Sequence, residues 1–360
     1  MLKCFFLSKH WAMWAWGGLA ALLTSIFIEV SMMVRMNEWY GEMWNMMQLA
    51  KPETIDRFWE LILLFCAIVF PYILLRTLSS FLSQHFCFRW RQAMTLAYLP
   101  FWQKVDSDVE GASQRLQEDP QRFARVTELL ALGLFRSILT LIAFIPILWT
   151  LSEEICGKLA DWLNSPAFTE SYDKIPLSLK GMEIMSQIPG SLLWFSCLLS
   201  FSAVIISYAV GIRLPDLEYN NQKVEARFRK QLVYAEDDKT YANTPTLLEL
   251  FTGLRLNYFR LFLNHSYFSL WQNFFFQFVS IADLMVIGPG VIYGIILMGT
   301  LNRVSHAFSS VSDSLSYFTE NWANVTELLS IIKRLREFEV NIGYRSESGS
   351  SGLFKTQYKS

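Results

Sequence analysis

From Ile184 to Ile212 the chain runs without one charged side chain, and Gly190, Gly211 and several serines supply small packing positions. About 20 consecutive apolar residues cross a ~30 Å hydrocarbon layer as a helix, and this stretch exceeds that length. Leu61 to Leu75 is also charge-free, extends in both directions and carries Pro71 as an expected kink. Ala12 to Val34 is apolar but for Glu29, and is too long and too polar near its end for a cleaved signal peptide. Thr127 to Ser152 places Glu128 and Arg136 near its start and then runs apolar through Pro146. Only 18% of the chain is charged, against about a quarter in soluble domains. The chain reads as an all-α integral membrane protein.

The last apolar block, Ser266 to Asn302, is interrupted only by Asp283 and is longer than one span. Gly288-Pro289-Gly290 sits in its middle. The expectation is one long helix ending near Gly294, a turn at Gly299-Thr300, and a serine-rich helix from Asn302 to about Arg336. A helix that polar should line water or other helices. This makes six spans, at about 12–36, 58–84, 127–152, 187–212, 264–294 and 302–330, in a domain over 1–340. A flexible cytoplasmic tail follows over 341–360, its SESGSSG beginning at Ser346.

Basic residues set the expected orientation. Seven Lys and Arg lie between Arg76 and Arg125, eight between Arg213 and Arg260, and six from Lys333 onward. The opposite connections hold Lys51 and Arg57, or Lys158, Lys174 and Lys180. The positive-inside rule then puts both termini and both long basic segments in the cytoplasm. Helix formers and charge pairs such as Glu225 with Arg229 extend the membrane helices into that compartment. Asp119-Pro120 reads as an N-cap with proline at the first helical position. The outward connection from Glu153 to Glu183 reads as a small external lid.

Several classes of function find no support. A net charge of -1 argues against a nucleic-acid partner. There is no phosphate-loop, GxSxG or HExxH motif, and the four histidines show no ligand spacing. The five cysteines form no CxxC pair. Neither an enzyme nor a cofactor or metal is expected. The informative residues are the charges within or beside the apolar segments: Glu29, Arg35, Glu38, Glu128, Arg136, Asp283, Arg303, Asp313 and Glu320. A charge near a bilayer centre costs about 2.5–3.5 kcal/mol on insertion scales, so each needs a partner, water or a role. Facing a cavity, such groups would attract cationic cargo; otherwise each is paired or reaches out from a helix end.

A run of motifs then resembles a known family. Asn37-Glu38-Trp39-Tyr40 with Gln48 is similar to the end of the first helix in half-size ABC-exporter membrane domains of the SbmA/BacA branch. Phe88-Arg89-Trp90-Arg91, Met94-Thr95 and Trp102 resemble the stretch after its second helix. Gln114-Arg115-Leu116-Gln117-Glu118-Asp119 with Phe123 looks like its QRxQED signature. The longest match runs from Gly211-Ile212-Arg213-Leu214-Pro215 through Leu217-Glu218, Asn221-Gln222 and Val224-Glu225-Ala226 to Leu232-Val233-Tyr234-Ala235-Glu236-Asp237-Asp238. Tyr258-Phe259-Arg260-Leu261 and Lys333-Arg334-Leu335 with Phe338 continue it, so that the resemblance covers about residues 11–340.

The resemblance implies a six-helix ABC-exporter-type transmembrane domain without a nucleotide-binding domain. It implies a homodimer in the bacterial inner membrane that imports antimicrobial and other peptide-like compounds on the proton gradient. Proton-coupling residues carried over by motif are Glu118, Glu128, Glu225 and Glu236, with Glu29 a looser match. Glu38, Trp39, Tyr40, Arg136, Asp283, Arg303, Asp313 and Glu320 are the candidates for the cavity that meets cationic or proline-rich peptides. The alternative for Glu118, Glu225 and Glu236 is an ordinary ion pair with Arg115, Arg122, Arg229 or Lys230. Against the family pattern, a preceding hydrophobic segment is expected to be lacking, connection 153–183 is longer, and Pro120 replaces a non-proline. Two rivals stay open: the membrane subunit of an ABC transporter energised by a separate ATPase, and a non-transporting membrane scaffold.

Overall fold

The computed structural model describes residues 1–51, 54–105, 112–165, 168, 175–239 and 243–344, and the described residues contain no strand. The expected tail from Ser346 lies outside them, as do residues 166–167 and 169–174 of the connection between Glu153 and Glu183, whose first part continues as helix to Leu163. The helices are α1 (Lys3–Phe6), α2 (Ala12–Gln48), α3 (Ile55–Trp102), α4 (Ala112–Leu163), α5 (Lys180–Ser186), α6 (Ser191–Gly211), α7 (Leu214–Asp237), α8 (Thr244–Ile292), α9 (Met298–Glu320) and α10 (Trp322–Asn341). Among the described residues α2, α3, α4, α6 and α8 are long and apolar enough to cross a membrane. The sixth expected span, α9, is not among them, because its serines and charges hold its hydropathy down. The protein is an all-helical, multi-pass membrane protein.

Two compact units make up the chain: Met1–Leu151 with Ile296–Ser360, and Ser152–Ile295. In the second unit α8 packs along α6 and α7. Gly211 ends α6 where a β-carbon would press on the Phe268 ring at 3.1 Å. Ile212 and Arg213 keep right-handed helical backbone angles, and α7 follows with Pro215 in its first turn. Trp271 of α8 donates its indole N–H to Ser207 at 3.2 Å.

In the first unit α2 packs against α3 and α9. A cluster of buried aromatic and aliphatic side chains, among them Phe5, Phe86, Trp90, Tyr98 and Phe123, receives Ile331, Leu335 and Phe338 of α10. Phe5 stacks on Trp90 with ring centres 5.6 Å apart. Glu339, 3% exposed, accepts from the Tyr98 hydroxyl at 2.6 Å and from the Met1 ammonium at 2.9 Å. A buried carboxylate is tolerable when charge and hydrogen bonds both meet it, and here they join α10 to α3.

Three expectations are corrected. Asp119 does not cap a helix: α4 runs through it, with Pro120 and Pro146 in its interior. Asp119 is 1% exposed and takes a two-pronged contact from Arg334, Nη2 to Oδ1 at 2.9 Å and Nε to Oδ2 at 3.2 Å. Arg115 Nη1 adds a bond to the Arg334 carbonyl at 2.9 Å. The QRxQED stretch and the Lys333-Arg334-Leu335 stretch therefore meet.

The turn after α8 is the second correction. It lies at Gly294, whose φ of 70° suits glycine, and not at Gly299-Thr300. Ile295 N–H reaches back to the Gly290 carbonyl at 2.8 Å and closes the helix end. Gly299 is inside α9 because α2 starts that helix. The first amides of α9 lack partners in their own helix, and Met298 N–H binds Gln48 Oε1 at 2.6 Å while Gly299 N–H binds Asn45 Oδ1 at 2.8 Å. Third, the expected helix from Asn302 to Arg336 divides at Asn321 into α9 and α10.

A β-carbon at Gly299 would run into the Gly41 carbonyl and the Asn45 side chain. Gly299→Ala is accordingly expected to destabilise the protein by about 1–3 kcal/mol, the range for forced overpacking. Gly17, which has open space where a methyl group would stand, is the control: Gly17→Ala should be neutral or slightly stabilising. Thermal unfolding in detergent compares them.

Candidate functional site

Glu29, on α2, is fully buried, with 0% exposure. Arg136 Nη2 of α4 lies 2.7 Å from its Oε2. Distance alone makes this an ion pair, yet neither Glu29 oxygen receives an aligned hydrogen bond from the described residues. A hydrogen bond needs direction as well as proximity, so the contact is charge proximity without full satisfaction of the carboxylate. Such a group is held in place while keeping lone pairs to offer. Arg136 is 37% exposed and can reach outward.

Glu128 sits eight residues before Arg136 on α4, roughly 12 Å along the helix at 1.5 Å per residue. It is half-buried and accepts a 2.5 Å hydrogen bond from Ser83 of α3. Glu118 is different: it pairs with Arg122 at 2.6 Å on an open surface, one helical turn away. That is the ordinary ion-pair geometry, the alternative to a coupling role. In the second unit Glu225 is half-buried and Glu236 exposed, both on α7, while Asp283 of α8 is buried.

The remaining cavity candidates separate by packing. Trp39 donates to the Leu61 carbonyl at 2.7 Å and packs with Met43, Leu61 and Phe65, so it joins α2 to α3. Glu38, Asp313 and Glu320 are exposed. Arg303 crosses Gly41, where a β-carbon would strike its side chain, and its Nε is buried without a hydrogen bond among the described residues. Tyr40 does line a cavity, of about 220 Å³. Its walls come from α2 (Met32, Met33, Met36, Asn37), α3 (Ile68, Tyr72), α4 (Phe144) and α9 (His306, Ser310). The Tyr40 and His306 rings stack at 4.2 Å with 15° between planes.

Serine in α9 does not by itself require water. Ser310 and Ser314 each donate to the carbonyl four residues earlier, at 2.8 and 2.7 Å. That back-bonding satisfies a hydroxyl inside an apolar setting. Asn37 is the residue that sequence reasoning missed as a site. It is 2% exposed and lines the cavity, and both its amide nitrogen and its oxygen lack a hydrogen bond among the described residues. Its signal in the sequence is its place in the Asn37-Glu38-Trp39-Tyr40 motif, beside Glu38 and two residues after Arg35. Among the described residues no group of histidine, cysteine and carboxylate side chains could hold a metal.

These features define a multi-pass helical membrane domain with buried charge between its long helices. The chain matches the SbmA/BacA-like family over residues 8–165 and 167–343, and it belongs to that family. It is 26% identical over 336 residues to the inner membrane ABC transporter ATP-binding protein YddA of Escherichia coli, covering 88% of this chain and 55% of that protein. An uncharacterized ABC transporter ATP-binding protein of Synechocystis is 24% identical over 82% of this chain and 41% of its own length. One from Haemophilus influenzae is 22% identical over 89% and 52%. The chain thus spans about half the length of the curated relatives it matches.

Proposed function

We propose that this protein imports peptide-like solutes, cationic or proline-rich peptides foremost, across the bacterial inner membrane, driven by the proton gradient. Two copies form the transporter, both termini face the cytoplasm, and access alternates between the two sides. Glu29 carries the reading: a fully buried carboxylate in a membrane-spanning helix, close to a cation but without an aligned hydrogen bond from the described residues. Protonation removes its buried charge, loosens its hold on Arg136 and lets α2 and α4 shift. Glu128 takes part from the same helix as Arg136, its Ser83 bond made or released with the proton. Each elementary charge crossing ~100 mV gains ~2.3 kcal/mol, enough to move such an equilibrium substantially.

The test is uptake of a fluorescent proline-rich cationic peptide into proteoliposomes holding only this protein, without ATP. Uptake should follow an imposed proton gradient and vanish with an uncoupler. Glu128→Gln should fold normally and lose at least tenfold in uptake; unchanged uptake removes Glu128 from the pathway. A second reading is favoured by the names of the relatives, which are ABC transporter ATP-binding proteins matched over about half their length. In that reading ATP drives the same membrane helices. Uptake that needs ATP and is blocked by vanadate would establish it in place of proton coupling.

A further inference from the structure

The cavity that Asn37 and Tyr40 line is separate from the Glu29–Arg136 pair in its chemistry. Its walls are mostly apolar and soft: Met32, Met33 and Met36 project from one face of α2, and thioether side chains adapt to varied shapes. A dry cavity of about 150 Å³ accepts benzene, so about 220 Å³ holds one aromatic or large aliphatic group with room beside it. The stacked Tyr40 and His306 rings give a flat platform. Within this lining Asn37 offers one donor and one acceptor, both buried and both without a partner among the described residues. An unsatisfied buried carboxamide destabilises a protein, and a ligand bringing the matching acceptor and donor recovers that free energy. A donor and an acceptor side by side on one carbon complement the C=O and N–H that a single extended residue presents on the same side of its main chain.

We propose that this cavity is a subsite for one residue of the cargo: Asn37 pairs with the N–H and C=O of that residue's main chain while the methionines and the Tyr40–His306 stack flank its apolar side chain. The assignment rests on the peptide-transport reading for its biological meaning, but not for its chemistry. A lipid acyl chain would fill the same volume and leave Asn37 unsatisfied. Sites built around a hydrogen bond discriminate strongly against ligands that cannot make it, whereas apolar walls discriminate weakly. The subsite would therefore demand an amide and tolerate many side chains.

N-acetyl-phenylalaninamide is the probe, with toluene and N-acetyl-glycinamide as its two halves, and binding to the full chain in detergent is read by ligand-induced thermal shift and by NMR saturation transfer. Wild type should bind the whole probe at least fivefold more tightly than either half. Asn37→Leu should lose at least fivefold in affinity for the probe and keep its affinity for toluene, while melting no lower than wild type because an unsatisfied amide has gone. If Asn37→Leu does not fold, His306→Ala decides, since His306 is exposed: at least fivefold weaker probe binding supports the subsite and a smaller change overturns it. No probe binding to wild type also overturns it; binding that toluene matches and Asn37→Leu leaves unchanged overturns it too and marks the cavity as a site for an apolar chain. Peptide uptake that fails while the probe binds sinks the transport reading and leaves the subsite. Uptake that proceeds while the probe does not bind does the reverse.

Discussion

Arg334→Ala is expected to be among the most destabilising single substitutions in the first unit, at about 3–5 kcal/mol. Its partner is the reason. Asp119 is 1% exposed, and Arg334 donates a hydrogen bond to each of its two oxygens. Removing one member of a buried pair leaves an uncompensated charge, which costs far more than the pair contributes as a whole. Arg334 is itself 38% exposed, so its loss does not open a large cavity. The penalty lies with the stranded carboxylate. Two further variants separate that cause from lost packing. Asp119→Leu combined with Arg334→Leu removes both charges, and apolar replacements of buried pairs are often neutral or better; the double variant should recover most of the lost stability. Thermal unfolding in detergent reads all of them. A double variant no more stable than Arg334→Ala alone would show that the guanidinium acts by packing and by its neighbour Arg115.

What can be read from sequence follows from how local each cause is. The long apolar stretches are properties of contiguous residues, and the long helices α2, α3, α6 and α8 run through them. Helix punctuation is harder because proline and glycine have two uses. Gly288-Pro289-Gly290 lies inside α8, where a membrane helix tolerates such residues, while Gly294 a few residues on makes the turn. Gly299 reads as a turn residue and is instead the place where α2 and α9 touch. The start of α9 depends on Asn45 and Gln48, some 250 residues away in the chain. No local pattern contains that. Asp119-Pro120 misleads for the same reason: the carboxylate that could cap a helix is taken up by Arg334. At the candidate site, Glu29 and Arg136 are visible singly as charges inside apolar helices. That they are partners, and that Asn37 lacks one among the described residues, are facts of packing.

Glu29→Gln and Arg136→Gln should have unequal effects, and the inequality tests the coupling proposal. Both abolish the same ion pair. Glu29→Gln takes the charge away from the member with 0% exposure and leaves Arg136, 37% exposed, free to extend its charged head along its stem. Its stability should stay within about 1 kcal/mol of wild type, because long cationic side chains bury their stems and extend the charged head outward. Arg136→Gln leaves a carboxylate fully buried without a cation. That should destabilise by about 3–5 kcal/mol, or oblige Glu29 to hold a proton permanently. Uptake should discriminate further. If Glu29 carries the proton, Glu29→Gln fixes the neutral state and peptide uptake on a proton gradient should fall at least tenfold, which corresponds to about 1.4 kcal/mol in the driven step. A protein that remains folded and no longer responds to the gradient is the expected result for that variant. Glu29→Asp keeps a titratable carboxyl at the same position with a shorter reach, and should retain part of the gradient dependence that glutamine loses. Equal melting temperatures for Glu29→Gln and Arg136→Gln, with gradient-driven uptake intact in both, would reduce the pair to a packing contact and move the search for the coupling group to Glu128.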